Sequence, residues 1–257
     1  MISTAASPDT VTIESLRENE LQEARAIQRA MLASEGLQTA HVNIESEFQP
    51  FSEVGGDFLD YFLLSDGTAG LYLGDVTGKG LPAALFAALA VGTLRGVHKT
   101  GTAPSTVLAQ LNKRMMLKSV SLRYAAVQYA HLDPKTGVMQ IASAGMHGPL
   151  HLRENGCDEL TLSGIPPGLF PHSEYEMKRI QLAPGDSVVF LSDGLTDAMN
   201  AQGEILGLER VTEMLRGHEK KSPQEILQSL FGGVEEHSHG QAQQDDRTAA
   251  VLRYLPG

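Results

Sequence analysis

A chain of 257 residues, 42% of them hydrophobic, can bury one sizeable core or two small ones. Its 20 basic against 31 acidic residues give a net charge of -11, which argues against a nucleic-acid partner and is compatible with cation binding. The single cysteine, Cys157, excludes an internal disulfide and a thiolate metal cage. No basic-then-apolar leader opens the sequence, and the apolar run Leu81 to Val91 is shorter than the roughly 20 residues a bilayer span needs. The expectation is a cytoplasmic protein without a membrane partner.

In chain order, residues 1–11 are small and polar and read as disordered. Residues 12–36 read as an amphipathic helix closed by Gly36, with Leu21, Ala24, Ile27 and Met31 in one stripe. That stripe fits either packing on the helix's own domain or a short coiled coil with a sensor partner or a second copy. Strands follow at Val42 to Phe48, Phe58 to Leu64 and Gly70 to Asp75, the last two joined through Asp66-Gly67, a hairpin signal. A helix from Leu81 to His98, apolar on nearly all sides, reads as buried, and a second runs from Pro104 to Lys118.

Further strands are expected at Leu122 to Leu132, Val138 to Ala144, Leu150 to Leu152, Tyr175 to Leu182 and Ser187 to Leu191, the last almost wholly apolar and so central. Helices at Leu208 to Arg216 and Pro223 to Glu236 follow, the second opened by the capping box Ser222-Pro223-Gln224-Glu225. A polar loop, His237 to Gln244, leads to a final strand, Arg247 to Tyr254. Blocks of strands with hairpins, then blocks of helices, point to an α+β fold with antiparallel sheets.

Acids recur at strand ends. Asp75 closes an apolar run in Gly74-Asp75-Val76-Thr77-Gly78-Lys79-Gly80; Asp57 follows Gly55-Gly56, with Glu53 and Asp60 as competitors; Asp193 ends the central run, with Asp197 nearby; Asp245-Asp246 opens the last strand. Crowded carboxylates repel and take up protons, so such a cluster at neutral pH implies cations among them. Oxygen-only donors select Mg²⁺ or Mn²⁺, and two such ions about 3.5 to 4 Å apart suit in-line phosphoryl transfer.

The blocks Ala26 to Leu32, Glu53 to Phe58, Gly74 to Ala84, Ser143-Ala144-Gly145, Leu182 to Asp197 and Asp245 to Thr248 resemble, in this order, the metal-dependent PPM-type serine/threonine phosphatases, specifically their SpoIIE- and RsbU-like bacterial branch. The resemblance implies an αββα sandwich over residues 37–257, of two mainly antiparallel sheets flanked by helices, with a two-ion Mn²⁺ or Mg²⁺ centre. It implies that Asp75 and Asp193 are catalytic, and that Asp57, Asp75, the Val76 carbonyl, Asp193 and Asp245 hold the ions, with Asp246 the alternative to Asp245. The implied reaction is hydrolysis of phosphoserine or phosphothreonine by a metal-bridging hydroxide. The implied substrate is a phosphorylated protein of the STAS-domain anti-anti-sigma type in a partner-switching pathway.

Lys79, Thr77 and His147 are candidate substrate contacts. Thr77 stands where eukaryotic members of the superfamily carry a histidine, which leaves the leaving-group acid unassigned. His147 lies one place later than the branch's usual histidine, and Met146 takes that place. Two other functions fit parts of the pattern: a catalytically silent scaffold of the same fold, disfavoured by the retained acids, and a two-metal nucleotidyl cyclase, suggested by Gly55-Gly56-Asp57 but needing a parallel strand order.

Overall fold

The computed structural model describes residues 13–33, 35–99, 101–116 and 123–255. The segment 1–11 expected to be disordered lies outside them, as does Leu122. In chain order the elements are α1 (Ile13–Met31), β1 (Leu37–Gln38), β2 (Val42–Gln49), β3 (Phe58–Leu63), β4 (Ala69–Val76), α2 (Gly80–Val97) and α3 (Pro104–Met116). Then come β5 (Ala125–Asp133), β6 (Val138–Ala144), β7 (Leu150–Arg153), β8 (Gly156–Glu159), β9 (Met177–Gln181), β10 (Ser187–Leu191) and α4 (Asp193–Thr196). The chain closes with α5 (Gly207–Leu215), α6 (Pro223–Ser238) and β11 (Arg247–Tyr254).

Two antiparallel sheets form. One has six strands in the order β1-β2-β11-β10-β7-β8, the other five in the order β3-β4-β5-β6-β9. Three apolar layers bind the stack. Leu71, Leu73, Ile141, Val188, Phe190 and Leu252 fill the space between the sheets. Phe86, Ala90, Leu94, Leu108 and Leu111 of α2 and α3 pack outside the five-stranded sheet, and Val211, Leu215, Ile226 and Leu230 of α5 and α6 cover the six-stranded one. The result is an αββα sandwich, as expected, with β10 internal and fully buried.

Local chemistry sets the joints. In the β3–β4 hairpin Gly67 adopts φ 89° and the Thr68 N–H bonds Asp66 Oδ1, so the Asp-Gly pair supplies both the left-handed turn and its cap. At α6, Ser222 Oγ accepts the Glu225 N–H while Glu225 Oε2 accepts the Ser222 N–H, the full reciprocal box.

Several expectations are corrected. α1 stops at Met31, five residues before Gly36, with the Leu32 N–H still bonded to the Gln28 carbonyl. α2 is not buried all round: it lies on the outside of the sheet, so Ala83, Phe86, Ala87 and Ala90 face inward while Leu81, Leu85 and Leu89 are exposed. At 18 residues α2 is also long and apolar enough, by length and composition alone, to qualify as a membrane span, yet its inner face is packed into the sandwich. The expected loop from His237 begins later, because His237 and Ser238 complete α6. In α1's own stripe Leu21, Ala24 and Met31 are half-buried while Ile27 remains exposed, so the stripe packs on its own domain only in part.

Candidate metal centre

The strand pairing brings the acids to one rim of the sandwich. Phe58 pairs with Gly74 at the open end of the β3–β4 hairpin, which sets Asp57, just before β3, beside Asp75 near the end of β4. In the other sheet Leu191 pairs with Ala249, so Asp193, two residues past Leu191, and Asp245, two residues before β11, leave neighbouring strands at the same end. The centre therefore draws two acids from each sheet.

The acids act on one another. Burial, then the charges of Asp193 and Asp245, push the Asp75 carboxyl up to about 7. Burial, then Asp75 and Asp246, hold Asp57 well above the usual carboxylate range, although Thr248 and Ser192 hydrogen bonds to its carboxylate work the other way. Asp193 is also raised, by burial first and then by Asp197 and Asp245. Such groups gain most from a nearby dication, which would hold all of them ionised.

Asp246 has a different task. Its Oδ1 accepts the Phe51 N–H at 2.8 Å, and its Oδ2 accepts the N–H groups of Gly56 and Asp57 at 2.6 and 3.3 Å. Oδ2 thus pins the Gly-Gly turn while Oδ1 holds the chain at Phe51, and a Cβ on Gly55 would fall 2.1 Å from Asp246 Oδ2, a space only glycine leaves. Asp245 bears on both Asp75 and Asp193, whereas Asp246 bears on Asp57 and, less strongly than Asp245, on Asp75. The two rivals of Asp57 are bound elsewhere: Asp60 pairs with Arg95 at 2.7 Å, and Glu53 lies 3.5 Å from Arg25.

The backbone approaches closely here as well. A Cβ at Gly56 would stand 2.8 Å from the Val76 carbonyl oxygen and 3.3 Å from Asp75 Oδ1, so glycine keeps both oxygens accessible. An oxygen-only donor set with this surplus of negative charge fits a hard divalent ion. Among the described residues no three acidic, His or Cys side chains are grouped closely enough to hold a metal ion as they stand; Asp75, Asp193, Asp197 and Asp245 line open clefts. One, of about 370 Å³, is walled by Asp75, Met146, His147, Ser192, Asp193 and Asp197. A smaller one, of about 170 Å³, adjoins Lys79, Asp197, Gln244 and Asp245.

Of the candidate substrate contacts, His147 does line the larger cleft and its charge favours ionised Asp193, while the Gln128 amide donates to its carbonyl oxygen. The Thr77 hydroxyl is engaged with the backbone: it donates to the Tyr124 carbonyl at 2.9 Å and accepts the Tyr124 N–H at 3.0 Å. Lys79 pairs with Asp245 at 2.9 Å. His237 Nε2 lies 3.1 Å from the Glu204 carbonyl, away from the acids.

Three supporting residues have tasks that the local sequence does not disclose, although Gln28 and Thr248 fall inside two of the resembling blocks. The Thr248 hydroxyl donates to Asp57 Oδ2 across the two sheets. Arg123 Nη1 donates to the Thr77 carbonyl at 2.7 Å, bracing the turn after Asp75. Gln28 of α1, buried to 5% exposure, donates to the Gly55 carbonyl at 2.8 Å and accepts the Gly55 N–H at 3.0 Å, and so ties the N-terminal helix to the metal turn.

Comparison with known proteins places this arrangement. The chain is 27% identical over 262 residues to Protein IcfG of Synechocystis sp. (strain ATCC 27184 / PCC 6803 / Kazusa), covering 91% of this chain but 41% of that protein. It is 26% identical to Phosphoserine phosphatase RsbU of Bacillus subtilis (strain 168), covering 91% of this chain and 70% of RsbU. Among solved structures it superposes on the SiaA-PP2C domain of Pseudomonas aeruginosa with a TM-score of 0.82 at 23% identity, covering 95% of this chain and 99% of that one. It superposes on RsbX in complex with magnesium with a TM-score of 0.65 at 12% identity, covering 86% and 98%. The sequence profile described as Stage II sporulation protein E (SpoIIE) matches residues 65–255, nearly three quarters of the sequence, and the chain belongs to that family.

Proposed function

We propose that the chain is a Mn²⁺- or Mg²⁺-dependent protein phosphatase acting on phosphoserine or phosphothreonine. The observation that carries this reading is the convergence of Asp57, Asp75, Asp193 and Asp245 at one rim, where burial and neighbouring charges raise the carboxyls of Asp57, Asp75 and Asp193. The name of RsbU and the magnesium in the RsbX structure support it. Two divalent ions held there would polarise the phosphoryl group and supply an activated water for in-line displacement.

The chain's own residues do the rest. Asp57, Asp75 and the Val76 carbonyl would hold one ion and Asp193 with Asp245 the other, with Asp75 near enough to the second pair to feel its charge. Asp246, Gln28 and Arg123 hold the two turns in place, which keeps the acids oriented before any ion arrives. His147, on the cleft wall, is the side chain placed to meet the phosphoprotein.

Residues 37–257 form the phosphatase domain in this reading, and the helix of 12–36 is the regulatory arm for a sensor partner or a second copy. The phosphoprotein is an anti-anti-sigma (STAS-like) regulator and the setting cytoplasmic. The test is Mn²⁺-dependent phosphate release from a phosphoserine-bearing STAS protein by the wild type and by Asp193→Asn. Release that requires Mn²⁺ and falls at least about 100-fold in the variant supports the reading; unchanged release in the variant removes it.

A further inference from the structure

The turn carrying Asp75 ends in Lys79, and its ammonium has three neighbours. It lies 2.9 Å from Asp245 Oδ2, donates to the Gln244 carbonyl, and sits 4.8 Å from the centroid of the Phe51 ring. The other carboxylate oxygen, Asp245 Oδ1, accepts the Asp246 N–H at 3.0 Å. Both oxygens of Asp245 are therefore already engaged. Among the described residues no Lys or Arg is ion-paired with Asp57, Asp75 or Asp193, so Lys79 is the cation of the cluster.

We propose that Lys79 is a built-in counter-cation for Asp245, and that an ion held by Asp193 and Asp245 must displace its ammonium. This rests on the two-cation reading above and adds to it an order: the Asp57–Asp75 side carries no such competitor and fills first. The latch also has a structural reach. Lys79 immediately precedes α2, whereas Gln244 and Asp245 lead into β11, so the contact ties the entrance of an outer helix to the opposite sheet until the second ion breaks it. The Phe51 ring beneath the ammonium, its centroid 4.8 Å away, keeps the cation near the rim after release.

The lysine and Asp245 side chains are 46% and 44% exposed, so the competition is modest. A pair of this exposure lowers affinity for the displacing ion by about two- to fivefold.

The test is calorimetric titration of Mn²⁺ into the metal-free full chain, comparing wild type with Lys79→Met, which keeps an unbranched side chain without the charge, and Lys79→Arg, which keeps the charge. The expected result is that the weaker binding event tightens about two- to fivefold in Lys79→Met and stays within about twofold of wild type in Lys79→Arg. An unchanged or weakened event in Lys79→Met overturns the inference. So does an unchanged titration accompanied by a raised KM for a phosphoserine protein, which would make Lys79 a substrate contact only. If neither wild type nor Lys79→Met binds Mn²⁺, the two-cation reading fails and takes the inference with it. Lys79→Gln, compared at equal unfolding midpoint, replaces the Met variant if that one misfolds.

Discussion

Asp75→Asn should stabilise the metal-free protein while removing its activity. Burial and the neighbouring acids raise the Asp75 carboxyl from an unfolded value of 3.8 to about 7. That difference corresponds to about 4 kcal/mol at pH 8 as a ceiling, since each pH unit is worth about 1.36 kcal/mol. Partial solvent access and the hydrogen bonding an amide cannot reproduce reduce the expected gain to about 2–3 kcal/mol, or roughly 5–10 °C in Tm for a chain of this size.

The sign is fixed by linkage. A carboxyl whose folded pKa exceeds its unfolded one leaves the native state most stable below pH 3.8 and weakens it as pH rises through about 7. The advantage of Asn should therefore be full at pH 8 and close toward zero near pH 4. Thermal unfolding followed by circular dichroism, in EDTA at several pH values, reads this directly. Saturating Mn²⁺ should then reverse the ranking, because the ion stabilises wild type far more than the variant. A variant less stable than wild type at pH 8, or an advantage independent of pH, would refute the charge-crowding account of the centre.

Three further outcomes follow from other contacts. Thr248→Val removes the hydroxyl that donates to Asp57 and should weaken Mn²⁺ binding by about 10–100-fold with little loss of stability, as read by titration and urea unfolding. Gln28→Ala leaves the Gly55 N–H and carbonyl without their buried partner, costing about 1–3 kcal/mol in urea unfolding and lowering activity more than an exposed α1 substitution such as Ile27→Ala. His131 is kept neutral by burial, its pKa lowered from 6.5 to about 4, so stability is full above pH 6.5 and falls as the unfolded state takes up the proton below it. Between pH 7 and pH 5 wild type should lose about 2 kcal/mol from this source, and His131→Gln should lose correspondingly less.

The sequence revealed most where a single element carried a complete local signal. The capping box at Ser222 and the apolar run Val188 to Leu191 of β10 each determine their structure within a few residues, and the expected final strand, Arg247 to Tyr254, matches β11 residue for residue. β1, with two residues, and β8, with four, are too short to show an alternation and went unread. The exposure of Leu81, Leu85 and Leu89 was hidden for another reason: composition reports how apolar a helix is, not how many of its sides are covered. At the rim, motif order picks out the acidic turns but cannot separate Asp245 from Asp246, which are adjacent in sequence. Only the position of residues 51–57, nearly 200 residues away in the chain, gives Asp246 its backbone partners. Gln28 and Thr248 fall inside resembling blocks and Arg123 outside them, but the contacts that give all three their tasks appear only in three dimensions.

The split of the acids, two from each sheet, makes the centre a gauge of how the halves of the sandwich sit against each other. Asp57 and Asp75 move with β3 and β4; Asp193 and Asp245 move with β10 and β11. Among the described residues the polar ties across the seam at this rim include Thr248 to Asp57, Asp246 to the N–H groups of Phe51, Gly56 and Asp57, and Lys79 to Asp245 and the Gln244 carbonyl. A slide of one sheet over the other changes the gap between the acid pairs while leaving each pair intact. Side chains deep in the intersheet layer, such as Leu73 and Phe190, therefore help set the spacing of the centre without touching it, and ions bound there would lock the two halves in register.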